Sequence, residues 1–531
     1  MNTNKSFRKL LIGASAMAAT FCLAAYTARA SAVISIINSN APGVGFNDPT
    51  PAAPVGGNPG TTLGQQRLNA FQYAANIWGS TLDSAVEIRV QATFEPLSCT
   101  ASAATLGSAG TWDIESDFAG AILTNIWYPV ALANKLGGVD LTPGEPHIIA
   151  RFNSNLGATN CLFGTTWYLG FDRNHGTDID LVTVLLHEFS HGLGFAQFAS
   201  TSTGEQIYNM SDVYGRNLLD LTLNKTWDQM TDTQRVASAI NSRKLVWAGK
   251  EVTAASACVL SQGTPVLRIN SPSGIAGYYA VGSASFGPPL SSPGITAALA
   301  LASPVDGCGA ITNNIAGKIA VINRGTCTFA VKAKAAQNAG AVGVIIADNA
   351  PGSPPAGMSG SDPSIVIPTV RVTQADGNAI KAALAVGSVT GTLGVDLSLR
   401  AGADAQGRLI MNTPNPLVPG SSVSHWDPIA FPNQLMEPAI NDDLTHNVKE
   451  PFDLTVALFR DIGWFKGFGH SKYDLNNNGC VDKTDYNILM NAIRLRSTDQ
   501  KYDLNCDGKV DAADARTLML HFTLPNGVPC P

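Results

Sequence analysis

The period of the hydrophobic pattern changes along this chain, and the changes divide it. In LGQQRLNAFQYAANIWGSTL (63–82), Leu68, Phe71, Ala75 and Trp78 recur near helical spacing and predict a helix. An irregular lead-in rich in Gly, Pro, Asn and Thr precedes it at 41–62. VEIRVQATF (86–94) alternates apolar and polar residues, as a half-buried strand does; HIIARFN (147–153) and TTWYLGFD (165–172) read as further strands. DIDLVTVLLHEFSHGLGF (178–195) predicts a buried helix ended by Gly192 and Gly194. This order is an α+β arrangement. From 251 to 397 the pattern becomes short β-rich runs with Gly and Ser between them. Within that stretch, a helical FAVKAKAAQNAG (329–340) leads into a buried strand in NAGAVGVIIADN (338–349). After 400 the sequence is again mixed, and it ends in an amphipathic helix, DLTVALFRDIGW (453–464). KGFGHSK (466–472) is a short linker to a repeat: YDLNNNGCVDKTD (473–485) and YDLNCDGKVDAAD (502–514) align at a period of 29 residues, each followed by a helical run.

The first thirty residues read as a secretory signal peptide. Lys5, Arg8 and Lys9 precede the apolar LLIGASAMAATFCLAA, and Ala28-Arg29-Ala30 is a small-x-small cleavage site, with cleavage after Ala30 or Ala32. The apolar run is short for the roughly 20 residues a membrane span needs, and no later segment is long enough, so the mature chain is expected to have no integral membrane segment and to be secreted or periplasmic, with surface attachment open. Charged residues make up 14% of the chain and the net charge is −6, which argues against nucleic acid as a partner and against a basic membrane helix. Nine cysteines become eight once Cys22 leaves with the signal, and an even count in an exported protein predicts disulfides. Cys99 with Cys161, and Cys308 with Cys327, pair by neighbourhood. Cys258, Cys480, Cys506 and Cys530 stay unassigned, and no pair has the C-x₂₋₄-C spacing of a zinc site.

HEFSHGLGF at 187–195 carries the chemistry. His187 and His191 stand four residues apart, so on a helix both imidazoles face the same way. Two such imidazoles hold one Zn²⁺, and Glu188 is placed to act as general base for water at the metal. The chain has only 8 histidines in 531 residues, so the pattern is informative. The alternative is a surface helix that happens to contain the motif. The LVTVLL run before it argues for burial instead, and buried imidazoles need partners. A catalytic zinc takes three protein ligands and keeps one position open, so a third ligand is required. Gly194 extends the pattern to HExxHxxG, the opening of the metzincin motif, in which the glycine allows a sharp turn. The third histidine of the short motif would fall at 197, which is Gln197. Glu205, Asp212 and His425 are the candidates further on.

His425 stands in SHWDPIAFPNQLMEP (424–438), with Met436 eleven residues after it. Together with HExxHxxGF this resembles the leishmanolysin-type metzincins, where an insertion separates the third histidine from the motif helix. Asp461-Ile462-Gly463-Trp464 matches that family's terminal Asp-x-Gly-Trp. The resemblance implies His187, His191 and His425 as zinc ligands, Glu188 as the base and Met436 as the Met-turn. The departure is distance, since 234 residues separate His191 from His425. The intervening GKIAVINRGTCTFAVKAKAAQNAGAVGVIIADN (317–349) and IPTVRVTQADGNAIKAAL (367–384) resemble the protease-associated (PA) domain, which implies a non-catalytic insertion.

Each repeat places oxygen ligands as a 12-residue calcium loop does. The first offers Asp474, Asn476, Asn478, the Cys480 carbonyl, Asp482 and Asp485, with Gly479 at the turn; the second offers Asp503, Asn505, Asp507, the Lys509 carbonyl, Asp511 and Asp514, with Gly508. Paired loops of this kind, each followed by one helix, resemble the type I dockerin, which implies two Ca²⁺ and a cohesin-type partner. The expected organisation is multidomain: a signal peptide at 1–30, an α+β metzincin-like (zincin) catalytic domain in two parts at 33–250 and 398–466, a β-rich α/β PA domain inserted at 251–397, and a small all-α dockerin-like domain at 473–531. The expected function is zinc-dependent endopeptidase action on protein or peptide substrates. The competing expectation is a zincin-fold binding or adhesion protein without catalysis; the intact Glu188 argues against it.

Overall fold

The computed structural model describes residues 31–465, 472–476, 480–523 and 527. The expected signal peptide, residues 466–471 of the 466–472 linker, Asn478, Gly479 and Cys530 lie outside the described residues. Four hydrophobic cores organise the rest. The largest draws on residues from Ala32 to Leu260 and again from Ala403 to Phe465, and takes nothing from the stretch between.

This core is built on a four-stranded sheet in the order Ile34–Asn38, Ile88–Glu95, Ile148–Asn153, Gly107–Thr111. The first three strands run parallel, and the last pairs antiparallel with Ile148–Asn153. Two parallel neighbours need a crossover, supplied by the helix Leu63–Thr81, whose Thr62 side chain accepts from Gln65 N at 3.2 Å. That helix lies against the motif helix Leu181–Leu193. The Phe71 ring meets Phe152 at 4.9 Å and Phe189 at 6.1 Å, and Trp78 Nε1 donates to Leu186 O at 3.2 Å. All thirteen residues of the motif helix are buried, the polar His187, Glu188, Ser190 and His191 included.

The structure departs from the sequence expectation at two points here. Gly192 does not end the motif helix. It lies inside it, where a Cβ would stand 2.4 Å from Ile148 Cγ2, so its smallness serves packing of helix on strand. The helix ends at Gly194, whose φ is +121° and whose Cβ would meet Ile462 Cδ1 at 2.9 Å. The strand expected at 165–172 shrinks to Trp167–Tyr168.

Residues 262–400 form a separate eight-stranded mixed sheet. Its central strands Ile295–Leu301, Ile319–Asn323, Gly343–Ala347 and Thr369–Val372 are parallel, and alternate residues feed two cores, Ile319 and Val321 on one face, Ala320 and Ile322 on the other. The helix Gln374–Val386 covers the first face and Phe329–Asn338 the second. The β-rich region starts later than its composition suggests. Lys250–Val259 is a helix, and its Val252, Ala255 and Val259 belong to the largest core. The fourth core is small and joins Tyr473, Val481, Leu489, Leu504 and Leu518 from the repeat, with helices Lys483–Arg494 and Ala512–Leu520. Cys99–Cys161 and Cys308–Cys327 are bonded, and Cys258 is bonded to Cys506 across two cores. Cys480 is also disulfide-bonded.

Candidate metal centre

The motif helix presents His187 and His191 from one face. His425 arrives from the segment beyond the eight-stranded sheet, held between Asn412 and Trp426: Asn412 N donates to His425 O at 2.8 Å, and Trp426 N donates to Met436 O at 2.9 Å. The three imidazoles converge. His187 Nε2 lies 3.2 Å from His191 Nε2 and 3.2 Å from His425 Nε2. Among the described residues this is the one group of three or more His, Cys, Asp or Glu whose ligand atoms come this close together.

The other ring nitrogens decide what these contacts are. His187 Nδ1 donates to Leu435 O at 2.7 Å, His191 Nδ1 to Phe195 O at 2.8 Å and His425 Nδ1 to Ser421 O at 2.9 Å. A carbonyl only accepts, so each Nδ1 carries the proton and each Nε2 of the neutral ring presents a lone pair. Three bare lone pairs facing one another in a buried site repel. A cation removes that conflict, and tetrahedral zinc with bonds of ~2.0–2.1 Å would hold its nitrogens about 3.3 Å apart, against the 3.2 Å found. The donor set therefore fits Zn²⁺, with carbonyls fixing each ring's tautomer and direction. Burial, and for His187 and His425 the neighbouring imidazoles, disfavour protonation: the pKa falls to about 3 at His187, to about 4 at His191 and well below the usual range at His425.

Glu188 is 8% exposed. Burial raises its pKa to about 8, opposed by a hydrogen bond from the Ala109 backbone. Ala109 lies on Gly107–Thr111, the antiparallel edge strand. A dication beside the carboxylate would pull this value back down. Met436 is fully buried, one residue from Leu435, which orients His187. That loop is fixed by two buried carboxyl groups: Asp453 Oδ2 accepts from Leu435 N at 2.7 Å, and Glu437 Oε1 accepts from Gln434 N at 2.8 Å.

The other candidates for third ligand stand elsewhere. Asp212 accepts from Phe198 N at 3.0 Å and from Gly215 N at 2.6 Å, so its carboxylate holds a turn. Glu205 is exposed. The carbonyls of Leu435, Phe195 and Ser421 escaped the sequence reading because a backbone acceptor has no residue signature. The buried Asp453 had one available signal, an acid at the start of an apolar helical run.

In the repeat, Asp482 and Asp511 cap the two helices, and Asp485 and Asp514 close both capping boxes from the third helical position. Asp514 Oδ1 also accepts from Leu504 N at 2.7 Å and Asn505 N at 3.1 Å, and Asp503 gathers Asp507 N at 3.1 Å and Gly508 N at 2.8 Å. Lys509 N donates to Asp507 Oδ1 at 2.9 Å. Asp474 is buried, and Asp485 accepts from Asn476 N at 3.1 Å. The second loop thus curls around its own acids.

Comparison with known proteins identifies two of the parts. The PA domain model matches residues 295–380, and the dockerin type I domain model matches residues 472–522. Leucine aminopeptidase 2 of Arthroderma otae is 39% identical over 113 residues, 21% of this chain and 22% of that protein. ER degradation-enhancing alpha-mannosidase-like protein 3 of Xenopus laevis is 40% identical over 111 residues, 19% of this chain and 12% of that protein. The chain therefore spans about a fifth or less of the length of these curated relatives. Their names differ in chemistry, so the shared stretch does not fix an activity. A solved zinc aminopeptidase from Bacillus subtilis is 26% identical over 28% of this chain and 36% of that chain, with a TM-score of 0.20, a likeness too slight to bear on the fold. The chain is a multidomain protein with a PA domain and a dockerin type I domain.

Proposed function

We propose that this chain is a secreted zinc metalloendopeptidase of leishmanolysin-like metzincin type, with a PA domain inserted in its catalytic domain and a calcium-dependent docking module. The observation that carries the reading is the convergence of three Nε2 atoms, each with its Nδ1 proton committed to a carbonyl. His187, His191 and His425 would hold the metal. Zinc, when bound, supplies Lewis acidity toward a substrate carbonyl and lowers the pKa of a water. Glu188 takes the proton of the attacking water and passes it to the leaving amine; burial alone raises its pKa to about 8, and the dication would bring it back toward the ionised form that accepts a proton. The open edge of Gly107–Thr111 lies beside Glu188 and offers backbone groups to an extended peptide. Gly194 and Met436 serve as the turn and the Met-turn of this site.

The proposed catalytic domain spans 33–250 and 398–466, with the Lys250–Val259 helix counted in its first segment; the PA insertion lies between the two segments, and the dockerin-like domain spans 473–531. The dockerin match supports two bound Ca²⁺, a cohesin-type partner and an extracellular place of work. No helix among the described residues is long and apolar enough to cross a membrane. One of the two curated relatives, leucine aminopeptidase 2, is by name a peptidase, in keeping with peptide-bond hydrolysis. A quenched fluorescent peptide blocked at both ends separates endopeptidase from aminopeptidase action. Cleavage by the wild type, abolished by Glu188→Gln and by 1,10-phenanthroline, is expected. Cleavage only of peptides with a free amino end would overturn the endopeptidase reading.

A further inference from the structure

The two repeats are alike at the acids and differ between them. Where the first has Asn477, the second has Cys506, and Cys506 is bonded to Cys258 on the helix Lys250–Val259. The bridge thus leaves from inside the second loop, between Asn505 and Asp507. Immediately around it, Asp503 gathers the amides of Asp507 and Gly508. A second contact is independent of sulfur: Ala254, from the same helix, packs against the small core of the repeat. The two units also share a cleft of about 680 Å³, walled by Thr81, Cys258 and Arg460 on one side and Lys472, Asp503 and Leu504 on the other.

That helix is in turn tied to the histidine site. Asp461 Oδ1 accepts from Glu251 N at 2.9 Å, and its Oδ2 accepts from Val252 N at 3.2 Å and from Trp247 Nε1 at 2.9 Å. Three residues on, Trp464 Nε1 donates to Leu193 O at 2.8 Å, at the end of the motif helix. The contacts run unbroken from the second loop through Cys258, Asp461 and Trp464 to the helix that bears His187 and His191.

We propose that calcium in the second loop stabilises the histidine-bearing core through the Cys258–Cys506 bridge, so that the docking module is a fixed, metal-loaded part of that core and not a free tether. The proposal rests on the calcium reading of the loop. A ligand that binds only the folded state stabilises whatever unfolds with its site. The bridge and the Ala254 contact put core and loop in one cooperative unit; without them, calcium would stabilise the small module alone.

The chain provides its own reporter. All eight tryptophans lie between Trp78 and Trp464, with none at 262–400 or in the repeat, so tryptophan fluorescence follows the histidine-bearing core. Thermal unfolding of the full chain is followed in calcium and in EGTA, beside calcium titration by calorimetry and a non-reduced peptide map. In the wild type, calcium at a hundredfold excess over its Kd is expected to raise the core transition by about 3–5 °C. That rise is expected to shrink by at least half in the Cys258→Ser/Cys506→Ser double variant, where only the Ala254 contact still joins core and loop. It is expected to fall as well in Asp503→Ala, which keeps the bridge and the first loop and loses the second loop's calcium. An equal rise with and without the bridge, or a map lacking the 258–506 link, would overturn the proposal while leaving the calcium reading intact. Absence of calcium binding by titration would overturn both.

Discussion

Three neutral imidazoles with their lone pairs turned inward are costly unless something cationic sits among them. His425→Ala is therefore expected to lose tightly bound zinc and activity together. Glu188→Gln is expected to keep zinc and to lose about 10²–10⁴-fold or more in turnover, the usual worth of a general base; zinc analysis beside a peptide assay distinguishes the two. His187, Glu188 and His191 were legible because helical periodicity alone puts both imidazoles on one face. His425 was legible only through its neighbours, Ser424, Trp426 and Met436, since a lone histidine 234 residues away has no periodicity to tie it to the motif. The residues that aim the rings were not legible. Leu435, Phe195 and Ser421 contribute carbonyl oxygens, and any side chain could stand there.

At the scale of elements, the Met436 loop depends on buried acids. Burial raises the Glu437 pKa to about 9. The folded state therefore holds a proton that the unfolded chain releases near its ordinary value of 4.5. Stability from this group is complete below that value and is lost as pH rises through the folded pKa. Glu437→Gln, neutral throughout, is expected to flatten the fall in melting temperature of the metal-free protein between about pH 5 and 9. An unchanged slope would show that Glu437 is not the group responsible. Asp461→Ala strands two helix-end amides and the Trp247 indole. Chemical denaturation is expected to show a loss of about 1–3 kcal/mol. Long periodic elements such as 63–81 and 181–193 were read close to their true bounds. The edge strand Gly107–Thr111 was missed because GSAGT has no β-branched or aromatic alternation. The helix at 250–259 was hidden at the border of a β-rich region, where its Asp461 cap comes from more than 200 residues away.

At the scale of the whole molecule, the distance between His191 and His425 becomes an arrangement. Ala401 N donates to Ser261 O at 3.0 Å, and Gln262 pairs with Arg400, so the eight-stranded sheet leaves and re-enters the core at one place. Replacing 262–400 by a short glycine linker is expected to leave zinc binding intact, because neither the core nor the imidazoles draw on that segment. The insertion and the repeat were legible as changes of pattern. The bond from Cys258 to Cys506 was not, since pairing depends on how two separate units meet. The central claim is that one metal is closed by a histidine from beyond the inserted sheet. Zinc per chain, measured after dialysis against a calibrated chelator for the wild type and His425→Ala, tests it most directly. One zinc in the wild type and a loss of at least tenfold in affinity on substitution is the predicted result; one zinc held as tightly by His425→Ala as by the wild type would contradict it.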